Sequence, residues 1–532
     1  MKRVVVALLI AASCAASIAD TTGPAPRAAA PNTERLRALD WTPFETALAR
    51  FPADRAAAID RLMARATVTE LRAAMTSGTV SAEAVTLYFL SRIKQHDTRL
   101  RTYLELNPRA LDEARASDAR RQAGASRGPF DGIPVSLKDN IETAAPMHTT
   151  AGAEILLRHI APQDAPLVAQ LRAHGAVILG KANLSEFAGL VSFGRLTGGF
   201  SAVGGQTVNP HGHYPSSGSS SGSAAGVAAV LAMVSVGTET SGSVIGPSAW
   251  NGVVGMKPSR GRVNGAGVVP LVLANDSPGP IGRSVTDVAA LLDAIDTASV
   301  DYVAGLRADA LHGATVGLLP SDSAAAPVDA PVLEAARASL VALGARLRPA
   351  SVVGMPAWGT DLSFLVYLSA GMRHDMMAYV AARSRGVTTL EDLIAYNAAD
   401  AKRRIPTGQL LLQQLAPMSA GISAADYVTL SARMRQAATE MLETTFRTTG
   451  ADVLVSIETQ YSPVYATAGF PTITVPFGLR TTGRVLQPSG VSSLGMPVGI
   501  TFIGKAGEDA RVLAFAYAFE QATKRRVRPD LR

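Results

Sequence analysis

Apolar and polar positions recur with a helical period in the first part of the chain, and with shorter strand-like runs further on. From Trp41 to about Asp97 the pattern is helical, and Ser81 stands where an N-cap would begin one of these helices. The residues that follow this cap place an apolar stripe on one helix face: Val85, Tyr88, Phe89 and Ile93. This part of the chain is therefore predicted to be a set of amphipathic helices.

Between residues 130 and 300, short apolar runs alternate with helical segments. The runs at 133–137, 176–179 and 233–236 predict buried strands, and the segments at 165–174 and 223–230 predict helices. Ser284-Val285-Thr286-Asp287 has the spacing of a capping box at the start of a further helix. Alternation of this kind favours an α/β architecture around a mostly buried sheet.

Residues 320–450 read mainly as helices, for example at 332–347 and 427–446. Strand-like runs return at 451–457, 472–477 and 497–502, and a helix closes the chain. No internal repeat is visible. We expect one large domain over residues 41–532, with a helical insertion at about 320–450 and one sheet that the C-terminal segment completes.

The N-terminus has the pattern of a secretory signal. Lys2 and Arg3 precede an apolar run that ends at Ala12, and small residues lead to a cleavage site after Ala19. Residues 1–19 are thus predicted to be a signal peptide and residues 20–40 a flexible lead-in, which makes the protein periplasmic or secreted. The alternative is a lipoprotein anchored through Cys14.

Composition excludes several classes of protein. The chain has 532 residues, of which 47 % are hydrophobic and 17 % charged, which is ample for a folded core. Its net charge of +7 comes without a Lys/Arg stripe interleaved with aromatic residues, so we expect no nucleic-acid partner. Cys14 is the one cysteine, which excludes disulfide scaffolds, cysteine zinc sites and iron–sulfur clusters. The apolar stretch at 224–236 is too short for a membrane span.

Two loops rich in serine and glycine are the first sign of chemistry. They cover residues 216–223 and 237–243, and each adjoins a strongly apolar element, which flexible linkers do not. Small residues at a strand end allow backbone N–H groups to face a cavity, where they suit a phosphate or a developing oxyanion. Neither loop has the Lys-Ser/Thr of a phosphate-binding loop, so an oxyanion hole and acyl transfer are the better interpretation.

Acyl transfer needs a nucleophile and a base. Gly218–Gly222 matches G-x-S-x-G with Ser220 as nucleophile, but that fold needs a late histidine, and the last one here is His374. A lysine can replace histidine if burial keeps it neutral. Lys138 ends the apolar strand at 133–137 and is the candidate base, with a solvated surface lysine as the alternative. His211 and His213 are interpreted as loop surface, with a metal site as the alternative.

Several segments together resemble the amidase signature family. They occur in the family's order, and cover most of residues 65–300 and 450–525. The segments are 132–141 (GIPVSLKDNI), 179–187, 218–223, 237–243, 251–258 (NGVVGMKP), 469–476 and 495–500.

The resemblance implies a fold and a reaction. The fold would be a large mixed, twisted β-sheet covered on both faces by helices. The family uses a Ser–cis-Ser–Lys triad, which maps onto Ser243 as nucleophile, Ser219 as the bridging serine in a cis peptide and Lys138 as base. Backbone amides of Thr240, Ser241, Gly242 and Ser243 would form the oxyanion hole, and neither a cofactor nor a metal would be needed.

The residues of these motifs are similar to those of the bacterial peptide amidase branch, whose members deamidate C-terminal peptide amides. Glu239-Thr240-Ser241-Gly242-Ser243 carries the likeness, although that branch often has Asp at the position of Ser241. Segment 456–466 also departs from the family wording and is expected to border the substrate cleft, while Asp276 and the insertion are expected to shape the pocket.

The resulting expectation is an exported serine amidase acting on small amides or C-terminal peptide amides, as a monomer or homodimer. The alternatives are an esterase or aryl-acylamide hydrolase on the same triad, and a catalytically silent binding protein.

Overall fold

The structure is a computed structural model that describes residues 35–191, 198–298, 300–321, 326–354, 364–483, 485–486 and 491–531. The predicted signal peptide at 1–19, including Cys14, and most of the lead-in at 20–40 lie outside these residues. No helix among the described residues has the length and apolarity needed to cross a bilayer.

A mixed sheet of eleven strands is the centre of the fold. Its spatial order is β1-β3-β2-β6-β8-β7-β12-β15-β11-β9-β10, and two further two-stranded sheets are β4–β5 and β13–β14. In chain order the strands are β1 (Tyr103–Leu106), β2 (Pro134–Lys138), β3 (Val177–Ala182), β4 (Phe200–Ser201), β5 (Gly205–Gln206), β6 (Val234–Glu239), β7 (Val254–Lys257), β8 (Ser277–Gly282), β9 (Thr315–Leu318), β10 (Arg346–Pro349), β11 (Val453–Ile457), β12 (Thr472–Leu479), β13 (Val485–Leu486), β14 (Val491–Ser492) and β15 (Pro497–Ile503).

Parallel and antiparallel pairs share this sheet. Strands β3, β2 and β6 run parallel to one another, as do β11, β9 and β10, while the strands from β6 through β8, β7, β12 and β15 to β11 pair antiparallel. Strands β2, β3, β6 and β15 are buried at every position, so both faces of the sheet are covered there. The predicted α/β fold, with one sheet completed by C-terminal strands, is confirmed.

Helices surround the sheet, and several begin where the sequence predicts. Ser81 caps its helix by accepting a hydrogen bond from the Ala84 N–H, and Ser284 and Asp287 form a capping box. The α-helices of five or more residues in the described part of the chain are Glu45–Ala49, Ala53–Met63, Val68–Thr76, Ala82–Leu100, Ala110–Gln122, Pro166–Ala173, Ser221–Ala228, Ile245–Trp250, Val285–Ile295, Ala326–Ala342, Phe364–Gly371, Met377–Ala381, Leu390–Ala399, Leu410–Leu415, Ala424–Thr449, Ser462–Ala468 and Asp509–Thr523.

The region between residues 320 and 450 differs from the prediction at one point. The helix expected at 332–347 ends at Ala342, because the chain turns at Gly344 (φ +78°) and continues as strand β10. Strand β10 pairs in parallel with β9 and extends the main sheet, so Leu347 is a strand residue. The region therefore contributes a sheet edge as well as helices.

Two clusters of buried apolar side chains hold these layers together. The larger follows the sheet and the helices around it. The second joins the helices of 364–446 to residues beside the strand ends, including Phe187, Ile245 and Val272. Met376 belongs to this cluster and lies in a π-helical turn at Met372–Met376, a local geometry that is frequent at functional sites. The second cluster thus places the helical region over one edge of the sheet.

Candidate active site

Two adjacent parallel strands create the site. Leu137 of β2 pairs with Val236 of β6, so the carboxyl ends of the two strands lie side by side. Lys138 is the last residue of β2, and Thr238 lies close to the end of β6. Because residues at neighbouring strand ends meet at one edge of the sheet, side chains 100 positions apart in sequence come into contact.

The Lys138 ammonium position is surrounded by oxygen atoms and is 1 % exposed. Nζ lies 2.7 Å from Ser219 Oγ, 3.1 Å from the Thr238 carbonyl oxygen and 2.8 Å from Thr238 Oγ1. A neutral amine has two N–H donors and one lone pair, so it can donate to both Thr238 oxygens and still accept a proton from Ser219. The contacts thus suit a lysine that acts as a base.

Burial favours that neutral form. Removal of the side chain from water lowers the pKa of Lys138 to about 7, against the opposing effects of the Asp276 and Glu239 carboxylates. Lys181 is equally buried, but its Nζ pairs with Asp139 at 3.7 Å and donates to the Ile141 carbonyl at 2.6 Å. Among the described residues no carboxylate forms such an ion pair with Lys138. The two buried lysines therefore differ in their partners, because Lys181 faces a carboxylate whereas Lys138 faces hydroxyl and carbonyl oxygens.

The serine-rich loop at 216–223 supplies the partner of Lys138. The peptide bond between Gly218 and Ser219 is cis, as the family resemblance implies. The neighbouring Ser220 is held by the backbone of Thr238, because its Oγ donates to the Thr238 carbonyl at 3.1 Å and accepts from the Thr238 N–H at 3.2 Å. The Ser220 N–H donates to the Ser243 carbonyl at 3.1 Å, which brings the two serine loops together.

The second loop, residues 240–243, presents free backbone donors. Within the described residues, no acceptor is found for the N–H groups of Thr240, Ser241, Gly242 and Ser243. Gly242 has φ +78°, and a Cβ on it would lie 3.1 Å from Ser462 Oγ, so the tight turn requires glycine. Successive N–H groups without an acceptor can stabilise an oxyanion.

Contacts on both sides fix this loop. The buried Glu239 accepts hydrogen bonds from the Val244 and Ile245 N–H groups at 2.8 and 3.0 Å through Oε2. Ser241 Oγ donates to Ser462 Oγ at 3.2 Å, so segment 456–466 contacts this loop, although none of its residues lines the cleft described below. The loop is therefore held in shape before any ligand arrives.

A narrow cleft with a cavity volume of about 20 Å³ lies beside these groups. Its polar lining consists of Asn140, Thr238, Thr240 and Asp276. Its apolar lining is larger: Ala151, Leu184, Phe187, Ala188, Val268, Val269, Pro270, Leu271 and Met376. Since Thr238 contacts Lys138 and Thr240 begins the 240–243 loop, the cleft leads to the predicted site.

The sequence had not indicated three residues that support these groups. Thr238 and Glu239 lie inside the 237–243 motif, but only the fold shows that one contacts Lys138 and the other holds the loop. Asn140 Nδ2 donates to Thr238 Oγ1 at 3.0 Å, and the signal for it was its place two residues after Lys138.

The histidine pair in the loop at 211–213 shows no sign of a metal site. His211 Nε2 lies 3.1 Å from the Asn251 carbonyl oxygen, and burial lowers the pKa of this imidazole to about 4. No group of three or more His, Cys, Asp or Glu side chains that could hold a metal ion occurs in the part of the chain that the structure describes.

Comparisons with known proteins agree with the motif resemblance. The Amidase family model matches residues 84–513. A "Probable amidase" of Arabidopsis thaliana is 34 % identical over 86 % of this chain and 90 % of its own. The native peptide amidase of Stenotrophomonas maltophilia is 37 % identical, with a TM-score of 0.79 over 88 % of this chain and 99 % of that one. An amidase family protein of Bacillus anthracis is 34 % identical, with a TM-score of 0.82 over 92 % and 97 %.

Proposed function

This chain belongs to the amidase signature family and is a hydrolase of amide C–N bonds; we propose that it works through a Ser–cis-Ser–Lys triad of Ser243, Ser219 and Lys138. One observation carries the proposal: the buried Lys138 Nζ lies 2.7 Å from Ser219 Oγ and forms no ion pair with a described carboxylate. A lysine held in this way is available as a base near neutral pH.

In the proposed reaction, Lys138 takes the proton of Ser219 while Ser219 takes that of Ser243. Ser243 Oγ then forms a bond to the amide carbonyl carbon, and the carbonyl oxygen becomes an oxyanion. When this intermediate collapses, the C–N bond breaks and the nitrogen leaves with the proton that Lys138 returns through Ser219. Water then attacks the acyl-enzyme by the same route, which releases the acid and restores Ser243.

The free N–H groups of the 240–243 loop would stabilise the oxyanion in both halves of this cycle. One such donor in an oxyanion hole is worth about 2.7 to 4 kcal/mol of transition-state stabilisation. The loop is fixed by Glu239 and by Ser462, so little reorganisation is needed when charge develops. Hydrolysis of a stable amide requires this preorganised stabilisation.

We further propose small amides or C-terminal peptide amides as substrates, with ammonia or an amine as the second product. The similarity to a peptide amidase over nearly the whole chain supports this class, and the mostly apolar residues around the cleft favour an uncharged group beside the site. We propose that the protein acts after export, because residues 1–19 have the pattern of a signal peptide.

A panel of substrates tests the proposal. The protein and its Ser243→Ala variant are incubated with C-terminal peptide amides, anilides and p-nitrophenyl esters, and ammonia, aniline or nitrophenol is measured. We expect ammonia release by the wild type alone. Cleavage of esters or anilides alone would retain the triad and reject the substrate class, whereas equal rates in both proteins would reject Ser243 as nucleophile.

A further inference from the structure

Asp276 occupies the wall of the cleft, where its two carboxylate oxygens hold different parts of the site. Oδ1 accepts a hydrogen bond from Thr240 Oγ1 at 2.5 Å. Oδ2 accepts from the backbone N–H groups of Leu271 and Val272 at 2.7 and 3.1 Å. One carboxylate therefore connects the 240–243 loop to the opposite side of the cleft.

The side of the cleft that Asp276 holds is itself anchored at two more points. The Val269 N–H donates to the Asn140 carbonyl at 2.7 Å, next to the Lys138 strand end. The Leu273 N–H donates to Asp375 Oδ2 at 2.8 Å, in the helical region. Residues 268–276, the wall of the cleft, are therefore held in place at both ends. A side chain that is hydrogen-bonded to this wall keeps its position relative to Lys138.

Thr240 has no other anchor of this kind. Its hydroxyl group finds a hydrogen-bond partner only in Asp276 among the described residues. Glu239 holds the far end of the loop, at Val244 and Ile245. The Thr240 end, where the free N–H groups begin, depends on Asp276.

We propose that Asp276 is a positioning residue that holds Thr240, and through it the first N–H groups of the 240–243 loop, in the geometry that stabilises the oxyanion. This inference rests on the proposed function. It assigns to Asp276 an action through the loop, with no bond to the substrate.

The charge of Asp276 has a separate effect on the base. Asp276 and Glu239 are the carboxylates that favour the protonated form of Lys138, and Asp375 is the further carboxylate that faces Asp276. Removal from water raises the pKa of Asp276 to about 7, close to that of Lys138. The fall of the rate toward low pH, the acid limb of the pH–rate profile, therefore reports the titration of Asp276 and Lys138 together rather than of one residue.

Three substitutions distinguish the effect of the hydrogen bond from that of the charge. Thr240→Val removes the hydroxyl group and keeps the carboxyl group of Asp276, so we expect kcat to fall about 10- to 100-fold with little change in KM. Loss of this hydrogen bond raises the pKa of Asp276 further, so the acid limb should move in the same direction as in Asp276→Asn, but less. Thr240→Ser keeps the hydroxyl group and should stay within about threefold of the wild type. Asp276→Asn should lower kcat and also move the acid limb to lower pH, because the Lys138 ammonium loses a stabilising charge.

A peptide aldehyde provides a second readout, because its adduct with the serine places an oxyanion in the hole. We expect the inhibition constant of the aldehyde to rise in parallel with the loss of kcat in Thr240→Val and Asp276→Asn, while KM for the amide stays nearly constant. Asp287→Asn is the matched control: Asp287 is a buried carboxylate that also holds backbone N–H groups, at Val68 and Arg283, away from the cleft. It should lower the thermal midpoint without changing kcat per folded molecule.

The possible results distinguish failure of the positioning role of Asp276 from failure of the proposed amidase function. If the wild type hydrolyses amides and Thr240→Val matches it in both kcat and aldehyde inhibition, the positioning role is wrong and the amidase stands. If Asp276→Asn behaves like Asp287→Asn, the role of Asp276 is structural only. If the wild type hydrolyses no amide, the proposed function itself fails.

Discussion

Replacement of Lys138 by methionine should inactivate the enzyme and stabilise its fold. Methionine has a similar length and no charge, so the variant no longer has to bury an ionisable amine that is 1 % exposed in the wild type. The folded-state pKa of about 7 lies below the ordinary lysine value of 10.5. Between these two values the unfolded chain binds more protons than the folded one, so wild-type stability rises with pH across that window.

The size of the effect follows from the same two pKa values. The linkage relation gives a protonation cost of about 4 kcal/mol at pH 7 and about 2 kcal/mol at pH 9 for the wild type, and none for the variant. Loss of the hydrogen bonds to Ser219 and Thr238 offsets part of the gain, by about 1 kcal/mol each. The advantage of Lys138→Met should therefore shrink by about 2 kcal/mol between pH 7 and pH 9.

Urea unfolding at pH 7, 8 and 9 measures the difference in the free energy of unfolding between wild type and Lys138→Met. The midpoints are converted to free energies with one m-value for both proteins. Lys181→Met is the control, because it leaves the Asp139 carboxylate buried without its partner and should destabilise by about 3 to 5 kcal/mol. A gap between wild type and Lys138→Met that does not change with pH would refute the neutral-base argument. So would a variant that is less stable than wild type at all three values.

Three further substitutions test the loop and the cleft. Gly242→Ala should lower kcat at least tenfold, because φ +78° disfavours a Cβ that would also lie 3.1 Å from Ser462 Oγ; steady-state kinetics on a peptide amide measures it. Glu239→Gln should lower both kcat and the thermal midpoint, because a neutral amide replaces the charged acceptor of the Val244 and Ile245 N–H groups. Met376→Ala should lower KM for bulkier amides relative to small ones, because Met376 lines the cleft.

Each of these has an outcome that contradicts it. Unchanged kinetics in Gly242→Ala would mean that the loop turn is not needed for catalysis. A wild-type kcat in Glu239→Gln would mean that the Glu239 carboxylate is not needed to keep the loop rigid. Met372→Ala is the control for the cleft, since Met372 is buried in the same π-helical turn but does not line it. Equal selectivity changes in the two methionine variants would mean that neither acts through the cleft.

Local patterns were enough to predict six of the eleven strands described in the main sheet, and the two loops. The apolar run at 133–137 and the one at 233–236 identify the strands that carry Lys138 and Thr238, because a fully buried strand has a continuous apolar sequence. The helix expected to continue through Leu347 ended early because Gly344 turned the chain into an edge strand. A single glycine in an apolar stretch is a weak signal from sequence alone.

The supporting contacts of the site could not be predicted, because they join distant parts of the chain. Thr238 reaches Lys138 across 100 positions, and Thr240 reaches Asp276 across 36. Asp276 was expected to shape the pocket, but its hydrogen-bond partners depend on how residues 268–276 fold back toward β6. Such contacts are set by tertiary packing, on which local propensity carries no information.

A covalent label tests whether Ser243 is the nucleophile. The protein is treated with a fluorophosphonate, digested, and the modified peptide is identified by mass spectrometry, alongside Ser243→Ala and Lys138→Ala. We expect one adduct on Ser243, absent from the first variant and formed at least about 100-fold more slowly in the second, which lacks the base. An adduct on Ser220, or labelling that is unaffected by loss of Lys138, would contradict the proposed triad.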